Sequence, residues 1–385
     1  MKSIVLVTNH LTPYRRKFYD DFYEACRDIG ITFTVLLMTK REPKRNWDYD
    51  SLRVNYAVLM KDIHITFPIN NHLNLEVNKQ LEKLNPDLVL MAGSYMYLTN
   101  WLVLFKKAKR NYPVIYWNEA HFEEKRDYGF TILKVRDLIR NTIFPRFDGF
   151  WFSGSLSKKF VNYYGRKEAK NYLLPNFVDN DLYTQTRSRS KEDRITIRKN
   201  LNIPIESKIA FIPARLSKEK GIDLFLRILK ECKLPNNLVF LIAGTGDYED
   251  VIADAINNFD VDARLLGFQK QPQMLDLYSI ADFFVLPSLS DPNPLTCIEA
   301  LWCGLPLLVT VHVGNNPEVI SEGVNGYVID YSQKDASTLK IEQFFNANND
   351  WLETAAKTSV SIAEHYYDPK LRIPQVLKQM KTDFA

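Results

Sequence analysis

Short apolar runs alternate with helix-patterned segments along this 385-residue chain, and no other feature restricts its fold as tightly. The runs are Ile4–Val7, Phe33–Leu37, Asp87–Met91, Pro113–Trp117 and Phe150–Ser153, then Ile209–Pro213, Val239–Ala243, Ala263–Leu266, Phe283–Val285 and Leu307–Val309. A helix is expected from about Arg15 to Asp28, between the first two. Alternation of this kind gives α/β layers, with parallel strands joined by crossover helices. In an open α/β sheet the ligand crevice lies outside the carboxyl ends of the strands, so the strand-to-helix loops are the place to look for chemistry.

At 44.9 kDa the chain is long for one domain and sufficient for two, each with its own core. The Thr, Ser, Arg and Lys stretch from Thr184 to Asp193 lacks apolar periodicity and is expected to link them. The expected domains are 1–183 and 194–365. Cys26, Cys232, Cys297 and Cys303 form no Cys-x-x-Cys and no cluster with His, so neither a disulfide framework nor a zinc site is indicated, and reduced thiols in a cytoplasmic protein are expected. No apolar run approaches membrane-spanning length, and Ile4–Val7 reads as a buried strand, not a signal segment.

Charge is unevenly spread. Residues 1–185 hold 28 Lys+Arg against 20 Asp+Glu, whereas 186–385 hold 22 against 26. The basic half is expected to meet something anionic. Asn100–Arg110 joins an apolar block to a basic one, and 131–146 interleaves Ile132, Leu133, Val135 and Leu138 with Lys134, Arg136, Arg140 and Arg146. Such segments suit an anionic membrane surface; ordinary crossover helices with a core face are the alternative reading.

The densest chemistry lies in Ser288–Thr310, where a loop after a buried strand carries Asp291, a short helix carries Glu299 eight residues on, and a Cys-Gly-Leu-Pro turn leads to another strand. Upstream stand Ala214-Arg215-Leu-Ser-Lys-Glu-Lys220-Gly221-Ile-Asp223, Ala243-Gly244-Thr-Gly246-Asp247 and Leu266-Gly267-Phe268; downstream stand Pro317-Glu318 and Gly323-Val-Asn-Gly326-Tyr. In this order the segments resemble the retaining glycosyltransferases of family 4, with their acid-x7-acid signature. In the first half Thr12-Pro13-Tyr14-Arg15 resembles a variant found in bacterial polysaccharide enzymes, and Leu174-Pro175-Asn176-Phe177-Val178-Asp179 resembles the segment that leaves the family's first domain. The resemblance implies a GT-B fold, two Rossmann-like domains facing each other across a cleft, with a C-terminal segment, about 366–385, crossing back to the first.

It also implies residue roles. Arg215 and Lys220 would neutralise the leaving diphosphate in place of a metal, with the amides of Leu295 and Thr296 at a helix start. Glu299 would accept from ribose hydroxyls and Asp291 from a hydroxyl of the donor sugar. Gly244 and Gly246 would let the backbone approach the donor, and Phe268 would complete its site. Asn9, Tyr14 and Arg15 would meet the acceptor. After the Pro113–Trp117 strand, Glu119 occupies the family's catalytic position and His121 lies two residues on. The implied reaction is retaining, metal-independent transfer from a nucleotide sugar, UDP- or GDP-linked, to a glycan or lipid-linked glycan. No further cofactor and no nucleic acid are expected, and the implied location is cytoplasmic or peripheral on the inner face of the cell membrane. Asp48-Tyr-Asp50 falls in a charged loop, not at a strand end, so it is not expected to hold metal. Two departures stand out: Asp291 replaces the family's first Glu, and Pro294, which has no N–H, replaces its loop glycine. A nucleotide-sugar 2-epimerase and an inactive binding or scaffolding protein of the same architecture are the alternatives.

Overall fold

The computed structural model describes residues 1–40, 53–65, 71–106, 112–124, 129–259 and 262–384, apart from the side chains of 13, 14 and 259. The chain divides into two compact units, one comprising 1–119, 128–177 and 369–385, the other 120–127 and 178–368.

The first unit is built on a parallel sheet of seven described strands: β1 (Ser3–Thr8), β2 (Thr32–Leu37), β3 (Ala57–Leu59), β6 (Leu88–Met91), β7 (Val114–Asn118), β8 (Gly149–Phe152) and β9 (Lys170–Leu173). They run in the order β3-β2-β1-β6-β7-β8-β9, with β4 (Ile63–Ile65) and β5 (Asn71–Leu73) forming a separate antiparallel hairpin. One face of the sheet buries Ile4, Leu6, Phe33, Val35, Leu88, Leu90, Trp117 and Trp151 against Phe18 and Phe22 of the helix Pro13–Asp28. Thr12 caps that helix, its hydroxyl accepting from the Arg15 amide.

The second unit has the order β12-β11-β10-β13-β14-β15, where β10 is Lys208–Pro213, β11 Leu238–Ala243, β12 Ala263–Leu265, β13 Phe283–Leu286, β14 Leu307–Thr310 and β15 Gly326–Ile329. Successive residues serve opposite faces: Ile209, Phe211, Leu241, Phe284 and Val309 enter one core, while Ala210, Ile212, Phe240, Phe283 and Leu308 enter the other. Burial on both faces is why these strands read as unbroken apolar runs. In both sheets the strand order reverses beside the first strand, at β1/β6 and β10/β13, the arrangement of a Rossmann-like unit.

The expected linker is not a linker. The chain leaves the first unit after Phe177, and 180–188 form helical turns inside the second, with Tyr183 and Thr186 buried. Their polar composition misleads because they carry hydrogen bonds: Thr186 Oγ1 donates to the Tyr183 carbonyl, and Arg194 caps the Thr186 and Arg187 carbonyls. The carboxyl-terminal helix Pro369–Asp383 belongs to the first unit, where Ile373, Val376, Leu377 and Met380 enter the core. The preceding helix, Asn349–Tyr366, ends just before Asp368-Pro369, whereas Pro374 sits inside the last helix, which absorbs the lost backbone bond.

Candidate active site

The loops after β10, β11, β13 and β14 are stitched together at the reversal point of the second sheet. Lys218–Lys220 form one 3-10 turn, closed by Gly221 at φ 61°. A Cβ on Gly221 would stand 2.5 Å from the Pro287 carbonyl, so this loop lies tight against the start of the loop after β13. Two amides of that second loop, Leu289 and Ser290, donate to the Glu219 carbonyl. The Asp291 carbonyl accepts from the Gly314 amide at 2.8 Å, which ties in the loop after β14.

Side chains follow the backbone. Lys220 Nζ and Asp291 Oδ2 lie 2.5 Å apart, both largely buried. The two residues that the sequence assigns to phosphate and to sugar thus form one ion pair. Arg215 is different: it is exposed and pairs with Glu219, its i+4 neighbour. Phe268 is 73% exposed on the loop after β12. Leu295 and Thr296 begin the helix Leu295–Trp302, whose first amides have no partners within the helix. Pro294 is its N-cap residue, and its carbonyl accepts from Asn315. The missing N–H of Pro294 therefore leaves the helix's own first amides in place. Beside it Asn293 is buried with neither amide atom hydrogen-bonded to protein. A buried amide with no partner would cost about 1–3 kcal/mol, so the Asn293 side chain calls for a hydrogen-bonding partner from outside the protein.

Glu299 is held by two tyrosines: Tyr183 donates to Oε1 at 2.8 Å and Tyr278 to Oε2 at 2.7 Å. Burial raises the carboxyl's pKa, and the two hydroxyls pull it down. Each oxygen keeps a second lone pair for a hydroxyl donor. Nothing in the sequence announces this role for them: Tyr183 is the last residue of the expected first domain, directly before the expected linker, and Tyr278 lies in a crossover helix.

Gly244 and Gly246 have a packing role of their own. A Cβ on Gly244 would fall 1.9 Å from the Ala214 carbonyl and one on Gly246 2.0 Å from that of Leu216. The close approach they permit is of one loop to another, fixed by Leu216 N–H to Thr245 O and Tyr248 N–H to Leu216 O. They shape the loop that carries Arg215.

In the first unit, Glu119 Oε1 accepts from Arg15 at 3.0 Å and from Asn176 at 2.8 Å, and the Arg15 guanidinium lies 4.7 Å from the centre of the Trp117 ring. Asn9 follows β1 and its carbonyl accepts from Thr39. Gly93, after β6, has a positive φ, and a Cβ there would stand 3.7 Å from Asn9 Cγ, so the two mark this sheet's reversal point. The Tyr14 side chain, Asp48 and Asp50 lie outside the described residues. Glu119 and His121 belong to different units. The boundary between units falls directly after Glu119, and His121 is buried in the second unit against Gly314, where a Cβ would meet its ring at 2.7 Å. Gly314 carries no signal in the sequence that would have found it.

Residues 193–359 match the family of glycosyl transferases group 1. The chain is 31% identical over 139 residues to an uncharacterized glycosyltransferase of Methanocaldococcus jannaschii, spanning 36% of this chain and 35% of that protein. It is 27% identical over 161 residues to the lipopolysaccharide 1,2-N-acetylglucosaminetransferase of Salmonella typhimurium, 39% of this chain and 42% of that one. The matches thus span less than half the length of these relatives. A solved structure, HepE of Anabaena in complex with UDP and glucose, covers 99% of this chain and 100% of its own with a TM-score of 0.72 at 16% identity. This is a GT-B fold. In GT-B terms the first unit is the amino-terminal Rossmann-like domain, completed by the carboxyl-terminal helix, and the second is the domain in which the family match lies.

Proposed function

We propose that this GT-B protein is a glycosyltransferase that moves a sugar from a nucleotide donor to a glycan or lipid-linked glycan, with retention and without a catalytic metal. One observation carries the reading: Lys220, Asp291, buried Asn293 and the free first amides of the helix Leu295–Trp302 meet at the reversal point of the second sheet. Fixed cations and helix amides neutralise charge as it develops on a leaving diphosphate, a task a metal performs elsewhere. Asp291 exchanges part of its ion pair for a donor-sugar hydroxyl, and Glu299, oriented by Tyr183 and Tyr278, accepts from the ribose. The family match over 193–359 and the UDP and glucose bound by the structural relative support a nucleotide sugar as donor. The lipopolysaccharide named for one relative supports a glycan acceptor.

The helix Phe130–Ile143 supports a membrane-bound acceptor. Its exposed face carries Phe130, Ile132, Leu133, Val135 and Leu138 beside Lys134. No helix among the described residues is long and apolar enough to cross a membrane, so the contact we propose is peripheral.

The test is product formation with a panel of UDP-, GDP- and dTDP-sugars and lipid-linked acceptors, in the presence of a chelator. Transfer from one donor, with the anomeric configuration kept, is the expected result. Donor epimerised without transfer would support the epimerase, and donor bound but unchanged across the panel would support a scaffold.

A further inference from the structure

The β4–β5 hairpin carries three side chains with no part in the reading above. In its register Ile63 pairs with Leu73, His64 with His72 and Ile65 with Asn71. Directly paired residues project to the same face, and alternation puts Asp62, two before His64, on that face as well. One ligand atom from each of Asp62, His64 and His72 lies within 4.8 Å of the others. His72 Nδ1 is 2.9 Å from Asp62 Oδ2, and the two imidazole rings are 5.1 Å apart.

Two further observations distinguish this cluster from a surface coincidence. His72 is fully buried, and Asp62 Oδ1 is buried with no hydrogen-bond partner. A carboxylate oxygen so placed calls for a hydrogen-bond donor or a cation, and beside two imidazoles a cation answers the whole cluster at once. The hairpin is also the wrong size to stand alone. Strands of three residues are marginal even in a larger sheet, and this pair lies outside both sheets.

We propose that Asp62, His64 and His72 bind one divalent transition-metal ion of the Zn²⁺ class, which clamps the two strands of the hairpin to each other. Two imidazoles and one carboxylate favour Zn²⁺ over Mg²⁺ or Ca²⁺, which prefer oxygen ligands throughout. Ligand atoms around a tetrahedral zinc stand roughly 3.3 Å apart, given bonds of about 2.0–2.2 Å. Asp62 Oδ2 and His72 Nδ1, at 2.9 Å, stand slightly inside that spacing, so a small separation of the two opens room for the ion. His64 is exposed, so its ring turns to close the remaining distance at little cost. Water fills the fourth position.

The site's surroundings define its task. Asn71 donates to the Met96 carbonyl and accepts from the Leu98 amide, Thr99 donates to the His72 carbonyl, and Asn74 donates to the carbonyls of Met38 and Lys61. Met38 follows β2 and Met96 follows β6, so these bonds hold the hairpin over the carboxyl ends of the first sheet. The His72 ring meets Tyr97 edge to face at 5.0 Å, and Tyr97 in turn lies on Gly93 at the reversal point. A metal here fixes the backbone beside the first unit's strand-end loops and takes no part in bond making.

The full chain, stripped with a chelator and dialysed, is titrated with Zn²⁺ by calorimetry and with Co²⁺ by visible absorption. One equivalent of Zn²⁺ is expected, with the intense visible bands of tetrahedral Co²⁺ and a Zn²⁺-dependent rise in melting temperature. Asp62→Asn and His64→Ala, folded by circular dichroism, are expected to weaken binding by at least about 100-fold and to lose the rise. A wild-type chain that binds no stoichiometric Zn²⁺, or variants that bind as tightly as wild type, overturns the proposal. Both readouts are independent of turnover, so the result stands whatever the donor panel shows.

Discussion

The strand-end loops of the two Rossmann-like units solve the same problem by different means. In the second unit the backbone does the positioning: Gly221, Gly244, Gly246 and Gly314 each sit where a Cβ would meet a carbonyl at 2.5 Å or less, and the loops interlock through amides. In the first unit side chains do it, with Arg15, Glu119 and Asn176 holding one another around a carboxylate. A backbone cradle tolerates one residue type at each contact. A side-chain triangle can be rebuilt from other residues, so it leaves a fainter trace in sequence.

The largest expected effect tests the cradle. Lys220→Ala should lower turnover by about 100- to 1,000-fold with the fold retained, since it removes charge from the developing diphosphate. Arg215→Ala should follow it at a smaller loss, because Arg215 is 67% exposed. Steady-state kinetics with whichever donor the panel identifies decide the matter, and wild-type activity in Lys220→Ala would remove the phosphate assignment.

Next comes the triangle. Glu119→Gln should lower turnover by roughly 100-fold while keeping an acceptor for Asn176, and His121→Asn should cost less. Abolished turnover in His121→Asn with an active Glu119→Gln would exchange the two roles, and would move the decisive group onto the Gly314 side of the unit boundary.

Gly246→Ala separates backbone from chemistry. A Cβ 2.0 Å from the Leu216 carbonyl forces the loops apart, and a loss of about 2–3 kcal/mol in chemical denaturation is expected. Unchanged stability would mean that the loops give way freely and that the contrast between the units is overdrawn. The smallest effect concerns the first unit's surface. Sedimentation with anionic vesicles should fall on raising salt, with about 1 kcal/mol for each basic residue near the lipid, and Leu138→Asp should abolish it. Binding that ignores both salt and Leu138→Asp would detach the helix Phe130–Ile143 from the acceptor's location.

Legibility followed the same divide. The parallel strands and the Asp291 to Glu299 stretch were readable because buried β-strands and glycine-bounded loops leave narrow choices. The role of Tyr183 and Tyr278 was not, since a tyrosine that orients a carboxylate looks like any core aromatic. The linker was misplaced because a polar segment can satisfy its own backbone and pack. The two basic amphipathic segments looked alike in sequence, yet Leu98–Lys106 buries Val103 and Leu104 whereas Phe130–Ile143 buries Ile143 alone. Which apolar residues find a neighbour is a property of the assembled sheet.

The carboxyl-terminal helix gives the fold an order in time. Ile373, Val376, Leu377 and Met380 complete a core whose other members begin at Ile4, and Trp151 and Tyr172 find partners in Met380 and Asp383. On the ribosome the first unit therefore waits, with an apolar groove uncovered, while the whole second unit is made. A chaperone that shields apolar surface has its longest opportunity there, and the unit that starts first finishes last.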